Sequence, residues 1–401
     1  MLKAVIFDMD GVIIDSEPLH ARANILALKQ FGIDLTLDYV YQFIGNTILS
    51  MCETIKKDYN LSIDAKELSA ASAKQIEYLH SIEGYTPIPY IKNLIEDLYN
   101  HGIKLAIASS STIELIQQIV DVLELKPYFA KLISGTSVTH SKPAPDIFLK
   151  ACEELGVSTD EAIIIEDSKN GVLAATRANI PVIGYKNLHS GNQDLSLANI
   201  IVEGFDEVDY HFIDTVYCHA HNLPATILST DRLIIREIGS DDIPQLYQLY
   251  QSPSFIQQKL RFSDTLEEAY EKHEAYCKHM YHFLGYGLWG VFLKHSDQLI
   301  GHCGIEPKDV IITSESKSIL TLGYGILDAY HNQGYAKEVC SAILDYAKKN
   351  LYLDEMYAII ASENVASIHL IKWLDFSYTN TVQYLNDPKD LKEYQLYHKK
   401  M

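Results

Sequence analysis

Short apolar runs, each closed by a polar or acidic cluster, recur through the first half of the chain and alternate with stretches of helical period. Residues 3–8 read as a buried strand in which Ala4-Val-Ile-Phe7 ends at Asp8, Asp10 and Gly11. Similar runs stand at 104–108, 132–134, 162–166 and 182–184, separated by helical stretches such as 90–100 and 113–120. Strand and helix in alternation predict a parallel, doubly wound α/β sheet. Between residue 16 and about residue 84 there is no strand signal, only helix-period segments such as 19–30 and 65–79. A helical insert after the first strand is expected, and the acidic cluster falls at a strand's carboxyl edge, where such sheets bind ligands.

The pattern changes at the short polar segment 218–224, so the expected domains are 1–218, with the insert at about 16–84, and 226–401. The second part looks antiparallel. Residues 286–294, a polar turn at 295–297 and residues 298–305 form a hairpin pattern. A strand at 319–327, a helix at 336–351, a strand at 357–361 and a helix at 366–374 follow, giving a mixed α+β domain.

Length supports the division, because 401 residues exceed what one hydrophobic core holds. The chain is 47% hydrophobic and 21% charged, ordinary for a folded globular protein. The six cysteines show neither CxxC nor other metal-ligand spacing, which points to a reducing compartment. The amino terminus is too charged for a signal peptide, and no apolar run reaches membrane-spanning length. A cytoplasmic location with no membrane partner is expected. The net charge is −20, with −14 in the first 225 residues and −6 in the rest, so neither part offers the basic stripe that a nucleic acid requires.

Four separated elements of the first domain each supply one part of a phosphoryl-transfer site. In Asp8-Met-Asp10-Gly11, one carboxylate can attack phosphorus and a second, two residues on, can protonate the leaving oxygen. Ser109 follows the 104–108 strand and can hold phosphoryl oxygens, although Ser109-Ser-Ser-Thr112 also reads as a helix N-cap. Lys142, in His140-Ser-Lys-Pro-Ala-Pro-Asp146, can neutralise a pentavalent phosphorus. Glu166-Asp167 ends the 162–166 strand and offers hard oxygen ligands suited to Mg²⁺.

In order and spacing, DMDGVIIDSEPLH, IASSS, SKPAPDIF and IIIEDSKNGV resemble the haloacid dehalogenase superfamily, in the branch of β-phosphoglucomutase and sugar-phosphate phosphatases, over about residues 1–215. The resemblance implies a Rossmann-like core with Asp8 as nucleophile and Asp10 as acid/base. It also implies Ser109 and Lys142 as phosphate binders, Mg²⁺ among Asp8, Asp10, Glu166 and Asp167, and a mobile helical cap over the substrate. His20 stands where this branch often places a cap histidine near the acid/base, beside the plainer reading of a structural histidine. Around residues 45–48, where a mutase places an arginine for a second phosphate, no basic residue occurs. Hydrolysis of a small phosphomonoester, sugar phosphates among them, is therefore expected over isomerisation.

In the second domain, the stretch 322–336 runs from a strand through a glycine-containing turn into a helix, a geometry whose backbone N–H groups can cradle a pyrophosphate. With Thr230-Asp-Arg-Leu-Ile-Ile-Arg236, Tyr286-Gly-Leu-Trp-Gly-Val, Leu299-Ile-Gly-His-Cys-Gly and Asn364-Val-Ala-Ser-Ile-His-Leu, it resembles the GCN5-related N-acetyltransferases over about residues 227–385, best the subgroup acting on ribosomal-protein N-termini. The resemblance implies acetyl-CoA held along Tyr324, Gly325 and Ile326. Its pyrophosphate would lie at Asn332, Gln333, Gly334, Tyr335, Ala336 and Lys337, with Asn364 touching the cofactor. It further implies an amine acceptor, a small molecule or a protein N-terminus. Three departures stand out: His331 opens the cradle, Thr321 replaces the usual glutamate base, and Ile371 replaces a tyrosine acid. Glu306 and His302 are the remaining candidates to move a proton, and a non-catalytic domain that senses acyl-CoA and regulates the phosphatase is the alternative.

Overall fold

The computed structural model describes residues 1–43, 48–257, 262–312, 315–384 and 394–401. Two compact units, Met1–His221 and Asn222–Met401, divide the chain. No described helix is long and apolar enough to cross a membrane.

In the first unit six strands, β1 (Ala4–Phe7), β2 (Lys104–Ser109), β3 (Phe129–Ser134), β4 (Ala162–Glu166), β5 (Val182–Tyr185) and β6 (Ile200–Val202), form one sheet in the order β3-β2-β1-β4-β5-β6. Every pairing is parallel. The expected doubly wound α/β core is present, with strand ends within a few residues of those read from the sequence. The added strand β6 has only three residues, too few to show a period. β1 and β4 are buried along their whole length, as apolar runs flanked by helices on both faces should be. One face packs Val5, Phe7, Ile163 and Ile165 against the helices Ile91–Asn100, Ile113–Val122 and Tyr210–Ala220. The other packs Ile6 and Ile164 against Asp146–Leu155 and Lys169–Arg177. Each such side chain contributes roughly 1.5–3 kcal/mol.

Between β1 and β2 the chain leaves the sheet to form a helical cap: Glu17–Lys29, Leu37–Tyr41, Ile48–Asp58 and Ala65–Glu83. It has its own small core of Leu28, Ile33, Met51, Cys52, Ile55 and Leu68. Asp64 caps the last helix by accepting from the Lys66 N–H, and Gly84, at φ 77°, ends it. The two connections to the core are tied together, since Asp15 N–H donates to Thr86 O at 2.8 Å and Ile88 N–H to Ile13 O at 2.9 Å.

The second unit is a mixed sheet of β7 (Thr226–Ser229), β8 (Leu233–Arg236), β9 (Leu288–Leu293), β10 (Leu299–Ile312), β11 (Glu315–Ile326), β12 (Glu355–Ala361), β13 (Ser377–Tyr384) and β14 (Tyr394–Lys400). The expected hairpin is β9–β10, antiparallel. β10 does not end near residue 305, however. It runs on through Pro307 and pairs with β11 all the way from Gly301↔Ile326 to Ile312↔Glu315. The far end of this hairpin reaches β13 through Val310↔Tyr384, so β10, β11, β12, β14 and β13 close into a ring around Val310, Ile319, Val382 and Leu396. The helix Tyr335–Lys349 packs Val339, Cys340, Ile343 and Leu344 onto the sheet through a core shared with Trp289 and Ile305.

Candidate active site

The strand order of the first unit reverses beside β1, and sheets of this kind bind ligands at such a point, outside the carboxyl ends of the strands, here those of β1 and β4. Asp8 follows β1 and is fixed by its own N–H donating to Ile165 O at 3.0 Å, while Glu166 ends β4 and Asp167 comes next. Lys142 arrives from the loop after β3. Its Nζ lies 2.6 Å from Asp8 Oδ1 and 2.7 Å from Glu166 Oε1, with only 7% of its side chain exposed. Ligand atoms of Asp8, Glu166 and Asp167 all lie within 4.8 Å of one another, and all three residues are buried. Ser109, at the end of β2, is buried, and its hydroxyl accepts the Ser111 N–H at 3.0 Å. The helix N-cap that the sequence also offers here is Thr112, which accepts from Leu115 N–H.

Asp10, which the resemblance groups with Asp8, Glu166 and Asp167 around the metal, is not among the three residues whose side-chain ligand atoms lie within 4.8 Å of one another. Its Oδ2 accepts a bond from the Ser111 hydroxyl at 3.0 Å. Three further residues bond to the carboxylates and the loop after β1, Ser168 inside the motif IIIEDSKNGV and Ser190 and Asn187 outside any motif. The Ser190 hydroxyl donates to Asp167 Oδ2, Ser168 donates to Glu166 Oε2 through both its N–H (2.7 Å) and its hydroxyl (2.9 Å), and Asn187 Nδ2 donates to Gly11 O at 3.0 Å. The only cue to Ser190 and Asn187 is their place in the loop after β5, at the same sheet edge.

Three buried carboxylates face a single ammonium, and the charges pull against one another. Burial pushes the Asp8 carboxyl up to about 7, against the pull of Lys142. Burial and the charges of Glu166 and Asp8 raise Asp167 well above the usual carboxylate range. For Lys142, burial opposes its charge, but Asp8 and Glu166 outweigh it and hold the ammonium protonated. An excess of hard anionic oxygens in a buried trio fits a divalent cation such as Mg²⁺.

His20 lies in the first helix of the cap, its Nε2 3.4 Å from His80 Nε2, and His80 stacks on Tyr85 and bonds Gly84 O at 3.1 Å. Burial and His80 lower the His20 pKa while the charge of Asp10 raises it. Glu17, three residues earlier, is pushed up to about 7 by burial and by Asp10 and Asp15. Residues 45–47, where the sequence lacks a basic residue, lie outside the described residues.

In the second unit the strand β11 meets β12 at one register pair, Thr321↔Tyr357. Tyr324, Gly325 and Ile326 lie beyond that pair, bonded to β10 on their other edge. The turn that follows places Asn332 at φ 58° and Gly334 at φ 85° directly before the helix Tyr335–Lys349, whose first N–H groups have no partner within the helix. Residues 331–334 and Lys337 are exposed, and Tyr335 and Ala336 partly so. Arg232 braces this turn: its guanidinium lies 4.1 Å from the Tyr335 ring centroid, donates to Gln333 O at 3.0 Å and pairs with Glu338 at 2.7 Å. Asn364 Oδ1 accepts the Ser367 N–H and caps the helix Val365–Trp373.

The departures from the acetyltransferase pattern take definite shapes. Thr321 is buried, donates its hydroxyl to Glu306 O at 3.0 Å and faces Glu306 directly across β10–β11. Glu306 pairs with Lys308 at 2.9 Å and lies 3.4 Å from the Tyr276 hydroxyl. His302 is buried, bonded to the Tyr250 hydroxyl at 3.0 Å, and burial lowers its pKa to about 4. Ile371 is fully buried in the core.

Comparison with known proteins finds a family for each unit. The haloacid dehalogenase-like hydrolases match residues 5–185, and the GNAT acetyltransferase domain matches residues 232–377. A phosphoglycolate phosphatase from Aquifex aeolicus is 32% identical over 203 residues, which cover 49% of this chain and 92% of that protein. A phosphorylated carbohydrates phosphatase from Thermotoga maritima is 30% identical over 196 residues, covering 49% and 90% respectively. Among solved structures, a β-phosphoglucomutase from Clostridium difficile aligns with 23% identity and a TM-score of 0.46 over 55% of this chain and 98% of that one. The ribosomal-protein subgroup has no counterpart in these likenesses.

Proposed function

We propose, from the premise that this chain belongs to the haloacid dehalogenase-like hydrolases, that its first unit hydrolyses small phosphomonoesters through an aspartyl-phosphate on Asp8. The observation that carries this is the convergence of Asp8, Lys142, Glu166 and Asp167 at the carboxyl ends of β1 and β4. An Asp8 carboxylate oxygen attacks phosphorus and the bond to the ester oxygen breaks. Asp10, oriented by Ser111, delivers a proton to the departing alcohol. Asp10 then takes a proton from the water that cleaves the acyl phosphate, and phosphate leaves. Lys142 and Ser109 hold the phosphoryl oxygens. Mg²⁺, held by Asp8, Glu166 and Asp167, would supply charge neutralisation for the phosphoryl group. Purified protein with Mg²⁺ should release phosphate from a phosphomonoester panel, and Asp8→Asn should lower the rate at least 10³-fold; an unchanged rate in that variant would refute the assignment.

The chain is an enzyme in both halves by family, a phosphatase-type hydrolase and a GNAT acyltransferase. For the second unit we infer acetyl transfer to an amine. Tyr324, Gly325 and Ile326 pair with the pantetheine arm, residues 332–337 cradle the pyrophosphate, and the Asn364 amide touches the cofactor. The amine nitrogen attacks the thioester carbon, the C–S bond breaks, and Glu306, opposite Thr321, accepts the amine proton. Positioning supplies most of the acceleration. Calorimetry with acetyl-CoA and thiol release across small amines and peptide N-termini test this, and absence of acetyl-CoA binding defeats it. Buried Ile371 in place of a proton donor favours a second reading, a non-catalytic acyl-CoA sensor acting on the phosphatase. Under that reading phosphatase rate changes with acetyl-CoA while no thiol appears.

A further inference from the structure

The loop after β5 grips the rest of the first unit through three side chains. Asn187 is 5% exposed and engages both ends of its amide: Nδ2 donates to Gly11 O at 3.0 Å, and Oδ1 accepts the His189 N–H at 2.8 Å. Ser190, also buried, donates its hydroxyl to Asp167 Oδ2. His189 is half exposed, and its Nδ1 lies 2.7 Å from Asp15 Oδ2. A carboxylate can only accept, so this ring nitrogen carries the proton. The loop itself is pinned. Ser190 N–H donates to Asn187 O at 3.2 Å, Gln193 Nε2 to Ser190 O at 3.0 Å, and Lys169 N–H to Gln193 Oε1 at 3.1 Å.

At one end of this loop is a ligand atom of the carboxylate trio. Asp167 Oδ2 is boxed between the Ser190 hydroxyl and Gly11, where a Cβ would lie 1.9 Å from it. A hydrogen bond from outside the ligand set fixes the orientation of a ligating carboxylate and strengthens its hold on the metal. At the other end is Asp15, in the first of the two connections between the sheet and the separately cored cap. Its N–H donates to Thr86 O in the second connection, and Ile14 beside it bridges Pro87. Resting on the reading that Asp8, Glu166 and Asp167 hold Mg²⁺, we propose that Asn187, His189 and Ser190 are positioning residues that couple the metal to this hinge. A cation that fixes Asp167 fixes Ser190, the pinned loop carries the constraint to His189, and the His189–Asp15 bond holds the connection to the cap. Metal binding stiffens the cap's attachment, and by linkage a stiff attachment strengthens metal binding.

The test compares the full chain with three variants, each with and without Mg²⁺. Calorimetry reads Mg²⁺ affinity, and hydrogen exchange by mass spectrometry reads the segments holding the amides of Asp15 and Ile88, both of which donate across the hinge. In the wild type, saturating Mg²⁺ should slow exchange there by about fivefold or more. Ser190→Ala should weaken Mg²⁺ binding by roughly tenfold or more, and Ser190→Thr, which keeps the hydroxyl, should restore it to within about threefold. His189→Ala removes a half-exposed side chain whose partner is Asp15. It should still bind Mg²⁺, severalfold more weakly by linkage, yet lose the Mg²⁺-dependent slowing. Wild-type affinity in Ser190→Ala overturns the proposal, as does slowing that survives in His189→Ala. Should Ser190→Ala fail to fold, the His189→Ala result alone decides. If the wild type binds no Mg²⁺, the reading of the carboxylate trio falls first and takes this one with it. Binding without any slowing at the hinge leaves that reading standing and removes only the coupling.

Discussion

The most informative single residues are the ones whose charge the fold constrains. Among the described residues, Lys142 is the one ammonium bonded to Asp8 and Glu166. Replacing it by Met leaves three buried carboxylates without their cation, so Lys142→Met should lower phosphatase activity more than 100-fold. Its melting temperature should also depend more steeply on Mg²⁺ than that of the wild type, which a thermal melt with and without EDTA reads. His302 makes the opposite case, a buried imidazole whose pKa falls from about 6.5 to about 4. A group lowered on folding binds more protons in the unfolded chain, so its contribution is intact above pH 6.5 and is lost as pH falls toward 4. The second unit should lose stability over that window, on the order of 3 kcal/mol at most, and His302→Gln should flatten the loss in pH-dependent denaturant melts. Asp8, Lys142 and Glu166 were legible because each stands in a run of chemistry next to an apolar strand. Ser190 and Asn187 were not, because a lone serine or asparagine in a loop has no pattern to set it off. The bond from the Ser111 hydroxyl to Asp10 Oδ2 joins residues 101 apart and is made only in the folded chain.

Among elements, two glycines hold the carboxylates in place. Gly11 has φ 82°, and a Cβ there would lie 1.9 Å from Asp167 Oδ2. Gly171, in the helix Lys169–Arg177, would put a Cβ 1.6 Å from Glu166 Oε1. Alanine at 171 should favour the helix by about 1 kcal/mol on propensity alone. Gly171→Ala is therefore expected to keep the fold, displace Glu166 and raise the Mg²⁺ concentration for half-maximal activity at least tenfold. Unaltered Mg²⁺ dependence would show that Glu166 has room to move. The parallel strands were readable because burial on both faces makes them uninterrupted apolar runs. β6 is too short for that signal. β10 extends past its expected end because Pro307 and Lys308 break the alternation while the ladder to β11 carries on through them. The closure of five strands into a ring depends on pairs between residues some 70 apart, Val310 with Tyr384, and no local pattern announces such a contact.

For the whole molecule, the division at His221 predicts two thermal transitions by calorimetry. Mg²⁺ should raise one and acetyl-CoA the other, each by roughly 2.7 kcal/mol at a hundredfold excess over its dissociation constant. A single transition moved by both ligands would contradict independent units. The two-part organisation was visible in the change of pattern near residues 218–226, while the stretch that finishes the first unit was not. Tyr217, in the helix Tyr210–Ala220, donates to Asp160 O at 2.6 Å and accepts from the Met1 ammonium at 3.0 Å. The site chemistry begins at Asp8, yet the pieces that shelter it arrive in sequence: β2 by residue 109, β4 by residue 166, Ser190 later, and Tyr217 last. At 5–20 residues per second, a ribosome needs roughly 10–40 s to reach that tyrosine. Through most of this interval β1, apolar on both faces, lacks its β4 neighbour and presents an unpaired edge. Nascent chains halted short of β4 should therefore be the most chaperone-dependent species in this protein's biogenesis, and those carried past the last helix of the first unit the least.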